Sequence, residues 1–174
     1  EVVRYCTDFG TDKIAKAALI SSIIPLVKQK EDNPDGVSEK DLQGIQDALE
    51  EDRVGFLKEF SKGFYNFEDN KDKVSQAQLD YDFVVASHAS PRATIETAKA
   101  WMHTDFRDEL KNVNVPTLIV HGDSDNTVPI ETSANQAAKG ITDNVFKVIK
   151  GAPHGLNITH KDQLNTILID FLKS

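Results

Sequence analysis

The run Pro116–Pro129, PTLIVHGDSDNTVP, passes from an apolar, β-forming stretch into two acids two residues apart, Asp123 and Asp125. Further along, KGAPHGLNITH places His154 between Pro153 and Gly155. Catalytic groups of open α/β sheets gather at the carboxyl ends of the strands. An acid at one strand end and a histidine at the next can therefore meet side by side. Such a carboxylate fixes the imidazole tautomer, and the imidazole can then take a proton from a hydroxyl. Alone, each residue is an ordinary turn former. In the order acid then histidine, on consecutive strand ends, the two describe the base half of nucleophilic catalysis.

The elements around them must supply that placement. EVVRYCTDFG spaces Val2, Val3, Cys6 and Phe9 as a helix that stops at Gly10. Lys13–Ile24 reads as a buried parallel strand, near-continuous in apolar residues. From Ser38 the pattern turns helical: Ser38 and Asp41 form a capping arrangement, and Leu42, Ile45 and Leu49 share a face. Phe56, Leu57, Phe60 and Phe64 continue on one face, and two more helices follow, the second opening at Ser90–Pro91. VPTLIVHG is a strand, IETSANQAAKGI a helix and NVFKVIK a strand. In the closing helix, Leu164, Ile167, Leu168 and Leu172 share a face. Strand, about four helices, then strand–helix–strand–helix describes an α/β layered domain with a helical insertion between two strands.

With those elements in place, VPTLIVHGDSDNTVPIETS and KGAPHGLNITHKDQLNTILIDFLK resemble the closing segments of the bacterial cofactor-free haloperoxidases and aryl esterases of the α/β-hydrolase superfamily. The resemblance extends through ASPRATIETAKAWMHTDFRDEL and DRVGFLKEFSKGFY, and back to EVVRYCTDFGTDKIAKAALI. It implies an α/β fold equal to the C-terminal part of an α/β-hydrolase: a mostly parallel sheet with a helical cap. Residues 1–32 would hold the core helix and strand after the nucleophile elbow. Residues 33–110 would form the cap, and 111–174 the closing core strands and helices. By the same resemblance Asp125 is the triad acid and His154 the triad base, with Asp123 a turn-forming neighbour and His121 part of the strand end. Phe60 and Phe64 would wall an acyl pocket, with Ile45 on the preceding helix and Val27, Thr127 and Ile130 on loops near strand ends.

The implied activity is a serine esterase acting on small aryl or short-chain acyl esters. Perhydrolysis to a peracid is the side reaction behind the haloperoxidase name, and no cofactor or metal is involved. No G-x-S-x-G elbow occurs in the sequence. The chain is thus expected to act only with a serine-bearing N-terminal half, which also supplies the oxyanion amides. A non-catalytic binding or assembly lobe is the alternative.

Composition narrows the partners. A net charge of −8 without a dense basic stripe disfavours nucleic acid, and the apolar runs are too short to span a bilayer. One cysteine, Cys6, excludes an internal disulfide and points to a buried thiol in a cytoplasmic protein. The resemblance adds a homo-oligomer. His88, His103 and His160 lack metal-ligand spacing, and His160 reads as a local hydrogen-bonding group. Trp101 and Met102 read as helix packing.

Overall fold

The computed structural model describes residues 1–174. Three parallel strands, β1 (Ala17–Ile20), β2 (Thr117–Gly122) and β3 (Asn144–Ile149), lie in the order β1-β2-β3. Leu19 pairs with Ile119, which pairs with Phe146. β2 is buried along its whole length, as expected of a central parallel strand covered on both faces. Helices α1 (Val2–Phe9) and α5 (Ala134–Gly140) cover one face. There Val3, Cys6, Leu19, Ile119, Ala137 and Ile141 form the larger core cluster. On the other face α6 (Leu156–Thr159) and α7 (Lys161–Lys173) pack Leu156, Leu164 and Phe171 onto Leu118, Val120 and Ile149.

The helical insertion runs between β1 and β2 as α2 (Glu39–Phe64), α3 (Gln76–Ser87) and α4 (Pro91–His103). Each begins on a serine whose hydroxyl accepts a first-turn amide: Ser38 from Asp41, Ser75 from Gln78 and Ser90 from Ala93. α2 is kinked at Asp52, whose backbone leaves helical geometry (φ −143°, ψ 79°). Its carboxylate then accepts the Gly55 amide at 2.9 Å, capping the second half of the helix. Two helical segments were expected here, and the kink divides one helix in that way. Leu42 and Leu49 bury their side chains against Ala98 and Met102, with Trp101 half-buried beside them. Each buried leucine contributes about 2 kcal/mol of apolar transfer.

Two expectations are corrected. The strand expected over Lys13–Ile24 is confined to Ala17–Ile20, because Ser21 turns into the left-handed region at φ 45° and ends the extended run. Leu172 does not join the apolar face of α7: it stands 64% exposed while Phe171 takes the core position. No helix is long and apolar enough to cross a membrane.

Candidate active site

Asp125 and His154 come from the loops that follow β2 and β3, and the parallel register sets those loops side by side. A carboxylate can only accept, so the 2.8 Å contact between His154 Nδ1 and Asp125 Oδ2 places the imidazole proton on Nδ1. Nε2 is left with its lone pair. The Asp125 side chain is fully buried, while that of His154 keeps 18% exposure.

Three further donors complete the carboxylate's shell. Oδ1 accepts the amides of Thr127 at 3.0 Å and Val128 at 2.7 Å, the local turn that short acidic side chains favour. Oδ2 also lies 3.1 Å from Nε2 of the wholly buried His121, which bonds the Val128 carbonyl at 2.9 Å. Both partners are acceptors, so His121 Nε2 carries a proton, while its Nδ1 is buried without a partner. Burial pushes the Asp125 carboxyl upward. The hydrogen bonds from His121, His154 and the Val128 amide outweigh that and hold it at about 2.

The depressed value predicts a pH dependence of stability. An unfolded aspartate ionises near 3.9, so Asp125 contributes about 2 kcal/mol that is fully present above about pH 4. That contribution disappears as the pH falls towards 2. Urea unfolding from pH 2 to 7 should show wild type well above Asp125→Asn at neutral pH, the gap closing at the acid end. A constant gap would contradict the assignment.

Asp123 holds the two loops together rather than facing His154. Its Oδ1 accepts the Gly151 amide at 2.6 Å, where Gly151 adopts φ 72°. Ser124 N also donates to the Ala152 carbonyl at 3.2 Å.

His154 sits on the wall of a cavity of about 830 Å³ beneath the insertion. That lies within the size range of small-molecule pockets. Val27, Ile45, Phe60 and Thr127 line it, with Trp101 and Phe56. Two expected wall residues lie elsewhere. Phe64 sets its ring edge-on against the His154 imidazole, with centroids 4.8 Å apart, because the end of α2 is hydrogen-bonded to the His154 loop. Ile130 packs beside the α1/α5 core cluster, since the turn before α5 carries it away from the cavity.

Ser21 was not anticipated at the site. Its left-handed backbone at the end of β1 borders the cavity, and its Oγ is buried without a partner. Serine reasoning based on flanking glycines could not find it. No hydroxyl of the chain hydrogen-bonds to His154. His160 pairs with the neighbouring Thr159 hydroxyl at 2.9 Å, and Cys6 is a buried free thiol whose pKa burial raises. A second cleft, of about 650 Å³ between Lys71–Gln78 and Ile158–Gln163, is mainly polar and includes neither Asp125 nor His154. No group of three or more His, Cys, Asp or Glu side chains is placed to hold a metal ion.

No protein-family model matches the chain. It is 35% identical to the non-heme haloperoxidase of Rhodococcus erythropolis, covering 100% of this chain and 64% of that protein. It is 32% identical to a bifunctional esterase/perhydrolase of Acinetobacter calcoaceticus, covering 100% of this chain and 63% of that one. Among solved structures it matches the bromoperoxidase of Bacillus anthracis with a TM-score of 0.95 and 40% identity, over 99% of this chain and 63% of that one. The chain thus spans somewhat under two thirds of the length of these relatives.

Proposed function

The chain belongs to the α/β-hydrolase superfamily, among the relatives of the non-heme haloperoxidases and esterases, and from that premise we propose that it carries the acid and base of a serine carboxylesterase. The supporting observation is the Asp125–His154 hydrogen bond, which leaves the free imidazole nitrogen on a residue that walls an apolar cavity. We place the nucleophilic serine and the oxyanion amides outside this chain, a reading supported by the lack of a Gly-x-Ser-x-Gly turn here and by the chain's spanning 64% of the Rhodococcus relative.

In this reading His154 Nε2 takes the serine proton as the serine oxygen adds to the ester carbonyl. The imidazolium, stabilised by Asp125, returns that proton to the departing alcohol. Water, deprotonated by the same nitrogen, then attacks the acyl-enzyme and releases the acid. Hydrogen peroxide in place of water would release a peracid. Fourteen of the 21 lining residues are hydrophobic, which suits small aryl or short-chain acyl esters over charged substrates. A cytoplasmic location and self-association belong to the same reading, the first supported by the unpaired thiol of Cys6.

Hydrolysis of phenyl acetate by the whole protein tests the assignment. Steady turnover is expected, with Phe60→Ala raising KM roughly fivefold through lost aromatic contact in the cavity wall. A whole protein that binds the ester without turning it over would instead establish the non-catalytic lobe.

A further inference from the structure

We propose that Asn66 is a positioning residue that locks the Asp125 loop to the end of α2, so that the helix forming the cavity also sets the acid–histidine geometry. The proposal rests on the hydrolase reading above for its kinetic consequence, though not for its geometry.

Asn66 lies two residues past the end of α2, after its C-cap Tyr65, and holds φ 45°, ψ 55°, a left-handed conformation that asparagine tolerates better than most residues. Its amide reaches the two residues that bracket the acid. Nδ2 donates to the Ser124 carbonyl at 2.6 Å, and Oδ1 accepts from Asn126 Nδ2 at 3.2 Å. The preceding residues reach the histidine loop. The Phe64 carbonyl accepts the Gly155 amide at 2.8 Å, and the Phe64 ring meets His154 edge-on. Tyr65 packs so closely on Gly155 that no side chain fits there, and its hydroxyl donates to Asp82 at 2.6 Å. Three consecutive residues thus hold both loops, and they run from the last residue of the helix that lines the cavity with Leu42, Ile45 and Phe60 into the turn after it.

A half-buried hydrogen bond of this kind stabilises the fold only modestly. Its effect on catalysis is expected to be larger, because small displacements of a catalytic group are costly. Asn66→Gly keeps the left-handed turn and deletes the amide, so the variant separates positioning from folding.

The test compares wild type, Asn66→Gly and Asn126→Ala in the whole protein, reading kcat and KM for phenyl acetate and the ring-nitrogen chemical shifts of His154. In wild type those shifts should report a proton fixed on Nδ1. Asn66→Gly should lower kcat roughly tenfold at nearly constant KM and mix the tautomers, with Asn126→Ala intermediate. Unchanged His154 shifts in Asn66→Gly would overturn the proposal, whatever happens to the melting temperature. If wild type turns over no ester, the hydrolase reading fails, and the His154 shifts still decide whether Asn66 positions the pair.

Discussion

Replacing His154 by alanine in the whole protein should lower ester turnover by a factor on the order of 10⁶, leaving only what binding and oxyanion contacts supply. The size follows from the site. No other imidazole shares the cavity wall, and His121, which shares the Asp125 carboxylate, has its Nε2 committed to the Val128 carbonyl and Asp125. Asp125→Asn should cost less, roughly 10⁴-fold, because the imidazole would survive with its tautomer no longer dictated. The amides of Thr127 and Val128 would then face an uncharged group, so the variant should also lose stability near neutral pH. Rates for both variants against phenyl acetate check the order; equal losses, or a small loss for His154→Ala, would contradict these roles.

The second large effect concerns Gly122, the last residue of β2. A Cβ there would overlap the carbonyl of Ala152, the same oxygen that accepts the Ser124 amide. The glycine is required by close backbone approach between the two loops. Gly122→Ala must push them apart, straining the Asp123–Gly151 and Asp125–His154 bonds together. A destabilisation of about 3 kcal/mol is expected, at the upper end for overpacking, because backbone cannot rotate out of the way as a side chain can. Urea unfolding measures it, and an unchanged midpoint would mean that the loops are not tightly apposed.

An acid and a histidine on the loops after successive strands were legible from type and order, while the choice of Asp125 over Asp123 came from the resemblance alone; the fold sets Asp125 against His154. The serine caps at Ser38 and Ser90 were legible for a local reason, since a hydroxyl needs only its own first turn to act; the Ser75 cap, equally local, was not read. What escaped depends on contacts distant in sequence. Asn66 reads as an ordinary residue after a helix, and its role appears only when Ser124, on a loop 58 residues away in sequence, is folded against it. The His121–Asp125 contact spans only four residues, but it escaped because it depends on the turn that brings the acid back over the end of β2. Ile130 was misplaced because spacing along a loop does not say which cluster its side chain joins, and the late start of α5 at Ala134 decides that. The expected strand overran for a similar reason: apolar character continues through Ile23 and Ile24, but the backbone leaves the sheet at Ser21. Phe64 lies on the expected helix and near His154, as a prop against its ring rather than a lining of the cavity.

The central claim is that the Asp125–His154 pair activates a serine beside this cavity. Labelling of the whole protein by a fluorophosphonate, read by intact mass and peptide mapping, tests it most directly. The account predicts one phosphonate per protein on a serine outside this chain, with labelling lost in His154→Ala. Labelling that survives that substitution, or a whole protein that takes up no probe, would contradict it.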